Sequence, residues 1–281
     1  MRAKDDLTRR RVRDDGWRLP DQLWAKMDLL LPPRPKHLLG CHNPRVPDRA
    51  AMDAIFFVLR TGCQWNALNA TGICSSSSAH RRFQEWVESG VFEAFWREGL
   101  LAYDTFAGID WSWLSLDGAL GKAPLGGGKT GPNPTDRAKR GVKRSLLTDG
   151  QGMPLSICVD RANRNDHKLM RETIEAIMTE RPAPSAAARQ HRCLDKGYHY
   201  DEPRDLAAEF GFTLHLRTRG EETDAKRRAG TKARRWVVER THSWMNRFRR
   251  ILVRWEKKSA NDLAMLHFAL GLITWRNALP R

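Results

Sequence analysis

Three carboxylates in this chain stand where metal-assisted phosphodiester chemistry would need them. Asp117 closes the strand-like run WSWLSLD (111–117), Asp195 follows the short run Arg192–Leu194, and Glu239 lies inside a strongly basic segment. Carboxylates at strand ends can converge at one edge of a sheet, and a helix packed there can add a third. Three acids are the hard-oxygen set that Mg²⁺ or Mn²⁺ accepts, with places left for water and phosphate oxygens. Two such ions, roughly 4 Å apart, activate a nucleophile and stabilise a leaving oxygen.

Position alone leaves plainer alternatives open. Asp117-Gly118 also reads as a turn, as Asp149-Gly150 does, and in a plain turn Asn would replace Asp149 without harm. Asp195 also suits a turn cap, and Glu239 also suits a surface ion pair with Arg235 or Arg240. Asp110, Asp136, Asp160, Asp166, Asp201 and Asp205 are equally acidic competitors.

The surroundings of Glu239 narrow the chemistry. Residues 226–258 hold thirteen Lys or Arg and only two acids. From Lys232 onward Val237, Thr241, Trp244, Phe248, Ile251 and Trp255 recur at helical spacing as one apolar stripe, with Arg235, Glu239, His242, Asn246 and Arg250 on another face. A helix this basic suits a polyanion. A lone carboxylate there repels the same polyanion unless a cation lies between them.

The whole chain agrees. Its 281 residues carry 49 Lys plus Arg against 33 Asp plus Glu, a net charge of +16, which favours nucleic acid over small acidic metabolites. No segment is apolar enough to span or anchor in a membrane, so the anionic membrane surface is the weaker rival. The start MRAKDDLTRRRVRDD lacks the apolar region of a signal peptide. Five scattered cysteines (Cys41, Cys63, Cys74, Cys158, Cys193) without a CxxC pair point to free thiols in a reducing cytoplasm. Cys63, Cys74 and His80 fit no common zinc spacing.

The elements that must position these groups fall into two parts. Residues 20–104 read as all-helical. One helix starts at Pro20 with Leu23, Met27 and Leu30 inward, and a Pro-rich connector covers 32–47. A second helix is capped by Asp48 and stopped by Gly62, with a short helical piece at Trp65–Leu68. A third, capped by the serines of NATGICSSSS, runs to Gly90, and a fourth covers Val91–Leu101. After that the pattern alternates. Strands at 111–117, Arg144–Thr148 and Pro154–Asp160 include a hairpin at Asp149–Gly152. Then come a helix at His167–Met178, a strand at Arg192–Leu194, a helix at Pro203–Phe210, a strand at Thr213–Leu216, the basic helix, and a last helix at Asn261–Trp275. Such an order implies an α/β layer with a mixed sheet.

Several blocks resemble a known family. SLDGA around Asp117, NPTDRAKRGVKRSLLTDGQGMPLSICVDRANRND (133–166), LDKGYHYDEPR (194–204) and RRWVVERTHSWMNRFRRILVRWEKK (234–258) are similar to bacterial insertion-sequence transposases of the DDE type, the insertion-sequence-five family in particular. LPDQLWAKMDLLLPP, AIFFVLRTGCQWNAL and HRRFQEWVESGVFEAF resemble that family's helical DNA-binding module, and the resemblance spans roughly residues 19–276. It implies a ribonuclease-H-like catalytic domain over 105–281, preceded by a helix-turn-helix DNA-binding domain over 1–104. It also implies a triad of Asp117, Asp195 and Glu239 holding two Mg²⁺ or Mn²⁺ ions. The family's Arg four residues before the Glu is matched by Arg235. Its Tyr and Lys positions are Lys232 and Asn246 here, so Arg247, Arg249 or Arg250 would have to replace the Lys contact to DNA.

The implied activity is cleavage of DNA at terminal inverted repeats and attack of the freed 3′-OH on target DNA, by a homodimer on DNA. The alternatives are a domesticated, inactive DNA-binding regulator and a structure-selective nuclease of ribonuclease-H-like fold. Expected DNA contacts are His80, Arg81 and Arg82 with Gln84 on the third helix. Lys129, Lys143 and Arg144 are further expected contacts, as are Arg235, Arg240, Arg247, Arg249 and Arg250 of the basic segment. GGGKTG (126–131) lacks the first Gly of a phosphate-binding loop, since position 123 is Ala, and reads as a flexible basic loop. Asn163 and Asp166 read as helix caps or as groups behind the metal ligands. Trp86, Trp244, Trp255 and Trp275 fall on apolar faces, and Trp236 is the exposed candidate.

Overall fold

The computed structural model describes residues 16–33, 45–193, 201–215 and 236–279. Helix α1 (Asp21–Asp28) follows Pro20 and buries Leu23 and Met27. In α2 (Asp48–Thr61) the N-cap position is Pro47, so Asp48 is not the expected cap; it sits in the first turn, where its charge suits the helix dipole. The helix stops at Gly62, whose φ of 71° is the left-handed conformation glycine adopts at least cost. A 3₁₀ turn (Trp65–Ala70) leads to α3 (Ser76–Glu88), capped by Ser75, whose side chain accepts the Ser78 N–H at 3.3 Å. Helix α4 (Val91–Ala107) completes this part.

The sheet follows as β1 (Trp113–Lys122), β2 (Gly131–Pro132), β3 (Arg140–Thr148) and β4 (Pro154–Arg161), then α5 (Asp166–Glu175), β5 (Gln190–Cys193), α6 (Asp201–Glu209) and β6 (Phe212–His215). Strand β3 pairs antiparallel with both β1 and β4, whereas β5 runs parallel to β1 and β6 parallel to β5. The sheet is therefore mixed, as the element order implies. A tight hairpin forces antiparallel pairing, and helical crossovers permit parallel pairing. The two-residue β2 beside Arg140 and Gly141 carries no signal in the sequence.

The basic helix is shorter than its apolar stripe suggests. Helix α7 (Trp236–Met245) ends ten residues before Trp255, and a 3₁₀ turn (Arg249–Ile251) carries Phe248 and Ile251 into the core. The chain then runs extended beside the end of β1: Arg254 N donates to Lys122 O at 2.8 Å, and Val253 bridges Lys122. Extension turns Trp255 outward, so it is 42% exposed rather than buried.

The last helix, α8 (Ser259–Ala278), packs along α4. Phe268 meets Phe92 at 5.2 Å between ring centres, and the Trp275 indole donates to the Phe95 carbonyl at 2.9 Å. Buried apolar residues from Leu19 to Ala278 form one cluster. The boundary expected near residue 104 therefore does not separate two cores, because the final helix fills the groove left by the first four. Among the described residues no helix is long and apolar enough to cross a membrane.

Candidate functional site

Asp117 sits within β1 rather than at its end, opposite Leu146 of β3. Successive strand residues face opposite sides of the sheet. A side chain at Gly118 would run into the Asp166 carboxylate, so even-numbered residues of β1 face α5. Asp117 faces the other side, where α7 crosses. Two contacts fix that crossing to the β3–β4 hairpin. Thr241 donates to the Gly152 carbonyl at 2.6 Å, and Arg240 donates to the Gln151 carbonyl. Gly152 has φ of 84°, and a Cβ there would meet Arg240 at 2.8 Å, so the turn conformation and the close helix both require glycine.

This docking brings His242 Nε2 to 3.7 Å from Asp117 Oδ2. Glu239 precedes His242 by three residues in the first turn of α7, so both lie on one helix face. Burial, and secondarily the Arg144 guanidinium, press the His242 pKa down to about 4. Arg144 stands beside Ala119 on the Asp117 side of the sheet, itself buried, 3.8 Å from Asp262. Its desolvation lowers its own pKa against the pull of that carboxylate.

Asp195 lies outside the described residues. Strand β5 pairs Cys193 with Ser115, so Asp195 and Asp117 are each two residues beyond a paired position. Among the described residues no three His, Cys, Asp or Glu side chains converge as a metal site.

Neither Asn163 nor Asp166 caps a helix. The N-cap of α5 is Asn165, and Asp166 instead pairs with Lys143 Nζ at 3.0 Å on the face of the sheet away from Asp117.

The expected DNA contacts divide by burial. His80 and Arg81 are exposed on α3, but Arg82 is 3% exposed, bound to Asp48 at 3.2 Å and to Glu85 at 2.9 Å. Arg82 is thus an internal tie between α2 and α3. Lys143 and Arg144 are buried in the pairs just described. Arg247 and Arg249 are exposed, whereas Arg250 is buried, paired to Glu256 at 2.5 Å and donating to the Cys63 carbonyl at 3.1 Å. Arg235 lies outside the described residues. The reason is common to all the corrections: each buried cation meets an acid or carbonyl that is distant in sequence or supplied by a neighbouring turn.

The loop holding Lys129 is fastened rather than loose. Arg254 Nη2 donates to Gly128 O at 2.7 Å, and Gly128 N donates to Lys257 O at 3.2 Å. Lys129 itself is exposed, as are Lys257 and Lys258. Lys258 Nζ donates to Gln84 Oε1 at 3.3 Å, which ties the basic segment to α3. Sequence reasoning assigned no role to His242, Arg254 or Asp262. Only the three-residue step from Glu239 to His242 carried a signal.

Comparison with known proteins agrees across both parts of the chain. Residues 19–96 match the family described as "Putative transposase of IS4/5 family", and residues 109–273 match "Transposase DDE domain". Among curated relatives, "Putative transposase for insertion sequence element IS402" of Burkholderia cepacia is 39% identical over 158 residues, covering 54% of this chain and 71% of the relative. "Insertion element IS402 uncharacterized 16.2 kDa protein" of the same organism is 35% identical over 119 residues, 41% of this chain and 80% of the relative. Among solved structures, the Mos1 strand transfer complex matches over 88% of this chain and 77% of that chain, at 11% identity and a TM-score of 0.33. That likeness is too distant to bear on the site.

Proposed function

Because the chain belongs to the transposase family defined by the DDE domain, we propose that Asp117, Asp195 and Glu239 are its catalytic carboxylates. The protein is an insertion-sequence transposase, an enzyme that cuts and transfers DNA. The observation that carries the site assignment is the approach of α7 to β1, with His242 at 3.7 Å from Asp117 and Glu239 one turn away on the same face. Equal counting from the β5–β1 register to Asp195 and Asp117 supports the third member. We read the antiparallel meander, followed by parallel strands with helices between them, as a ribonuclease-H-like core.

The donor set fits a hard divalent cation, since all three members offer carboxylate oxygens. When bound, a pair of Mg²⁺ or Mn²⁺ ions would activate the attacking oxygen and steady the leaving one. The chain's own residues supply the frame. Thr241 and Arg240 hold α7 to the hairpin, so Glu239 is presented from a fixed helix. Neutral His242 adds no charge to compete for Asp117.

DNA recognition is assigned to the helix-turn-helix-like α2 and α3, with His80 and Arg81 turned outward. Lys129, Arg247, Arg249, Lys257 and Lys258 extend the same basic face toward phosphates. Joining two element ends calls for a dimer on DNA.

The full chain, Mg²⁺ and a duplex carrying the element's terminal repeat should give a nick that frees a 3′-OH, followed by joining to target DNA. Asp117→Asn, Asp195→Asn and Glu239→Gln should each reduce cleavage to background while DNA binding persists. Ca²⁺, larger and less strictly octahedral, should support binding but little cleavage. Full cleavage by Glu239→Gln would remove it from the active centre.

A further inference from the structure

Two stretches of sequence take no part in the site described above, NPTDRAKRG (133–141) and ANRN (162–165). The fold brings them together. A Cβ at Gly131 would stand 2.5 Å from Asn163 Oδ1 and 2.9 Å from Arg161 Cβ, and a Cβ at Gly141 would stand 3.0 Å from Ala162 and 3.1 Å from Asn133. These glycines let the β2–β3 hairpin lie directly on the end of β4. Asn133 N donates to Lys139 O at 2.8 Å, Ala138 N donates to Asn133 O at 3.1 Å, and the buried Asn133 side chain accepts from Thr135 N at 3.0 Å. Arg137 and Ala138 both hold positive φ, 48° and 57°, a conformation that persists in such residues only where the surroundings enforce it. The tip is therefore held in one shape. What it holds up is charge. Arg137, Lys139 and Arg140 on the hairpin, Arg161 at the end of β4 and Lys168 in α5 are all exposed. Among the described residues none of the five pairs with an acid, because the nearby acids are matched elsewhere: Asp160 to Arg164 at 2.6 Å, Asp136 to Lys122 at 3.9 Å.

We propose that this patch seats the second duplex of the reaction, the target DNA, by its phosphates. This rests on reading Asp117 as catalytic and α3 as the reader of the terminal repeat. Lys122, the last residue of β1, pairs with Gly141 on one side and with Val253 on the other. The basic segment after α7, tied to α3 through Lys258, therefore lies on one side of β1, and the hairpin patch lies on the opposite side. Two duplexes can then approach the same centre without competing for one surface. Asp117 is five residues back from Lys122 on β1. That is about 16 Å along an extended strand, or about five nucleotide steps of a DNA strand. Cations with no acid between them match a backbone that carries a charge every 1.7 Å or so. Contacts of this kind position a duplex without reading its sequence. The fixed hairpin holds three of the cations in place before DNA arrives, so little freedom is lost on binding.

The test uses the full chain in Ca²⁺, so that binding is read without cleavage. Protein saturated with a labelled terminal-repeat duplex is titrated with a second, random duplex that carries a different label. The wild type should capture the second duplex. The combined variant Arg137→Ala, Lys139→Ala, Arg140→Ala should weaken capture at least about ten-fold and lower its slope of log affinity against log salt by about three, with loading of the terminal repeat unchanged. The combined variant Arg137→Lys, Lys139→Arg, Arg140→Lys keeps the charge and should capture within a few-fold of wild type, separating charge from folding. Capture undiminished in the alanine variant, or no capture by a wild type that loads the terminal repeat, would overturn the target seat alone. Equal losses of loading and capture would overturn it by making the patch part of the terminal-repeat surface. Failure of the wild type to load the terminal repeat would overturn the reading of α3, and the division between two surfaces with it.

Discussion

The imidazole of His242 stands 3.7 Å from the carboxylate of Asp117 and is uncharged at neutral pH. The separation is too long for a hydrogen bond. It is short enough that a charged group at position 242 would compete with a cation for Asp117. His242→Lys should therefore slow cleavage by at least about ten-fold, the usual scale for a group behind a metal ligand, without weakening DNA binding. His242→Gln, which stays neutral, should remain within a few-fold of wild type. Nicking rates beside mobility shifts would decide; equal activity of the Lys variant would show that neutrality at 242 is irrelevant.

Asp149 is fully buried and accepts N–H groups from Met153, Gln151 and Asp110 at 2.7, 2.9 and 3.2 Å. It is no plain turn residue, so Asp149→Asn should destabilise rather than be harmless. One oxygen accepts two of these donors and the other accepts the third, so an amide must point N–H at N–H, at about 1–3 kcal/mol. Burial raises the carboxyl pKa from 3.8 to about 6. The native state then holds the proton more tightly than the unfolded chain, so wild-type stability from this group falls as pH rises from about 4 to 6. The Asn variant lacks that slope. Its deficit should shrink over the same range in urea melts, and a deficit constant with pH would mean that Asp149 does not titrate there.

Two neighbouring arginines on α3 should behave oppositely. Arg82 is buried between Asp48 and Glu85, and Arg82→Ala should cost about 1–3 kcal/mol, because Asp48 then keeps only weaker contacts such as Arg45 at 3.9 Å. Arg81 is exposed, and Arg81→Ala should leave stability within about 0.5 kcal/mol. Its effect should appear in terminal-repeat binding. Chemical denaturation alongside titration with specific and random duplexes would separate the two.

Salt dependence should sort the arginines that follow α7. Arg247→Ala and Arg249→Ala should each lower the slope of log affinity against log salt by about one. Arg250→Ala should leave that slope unchanged and instead lower the unfolding midpoint, because it deprives buried Glu256 of its partner. A changed slope with Arg250→Ala would mean that this guanidinium leaves its pocket for DNA.

Much of this arrangement was legible in the residues. Gly62 and Gly90 ended helices where expected, Asp149–Gly152 made the hairpin, and periodicity located the described helices apart from the far ends of α4 and of the basic helix. The approach of α7 to β1, which brings His242 near Asp117, was not legible, because it depends on contacts made far apart in the chain. Charge could not tell Arg81 from Arg82, or Arg249 from Arg250. Burial was decided by Asp48 and Glu256, one remote and the other beyond a turn. Helical periodicity also ran past Met245, since a 3₁₀ turn can feed Phe248 and Ile251 into the same core.

Helix α8 packs against α4 through Phe268 and Trp275. During synthesis α4 must therefore wait for more than a hundred and fifty further residues before its groove is filled. A chain cut short by a frameshift or early stop would leave Phe92, Phe95 and Trp96 bare to water and invite aggregation or proteolysis. Such products should not accumulate as competitors that occupy element ends without cutting them. The capacity to find DNA and the capacity to cut it are then inherited together, or lost together, with helix α8.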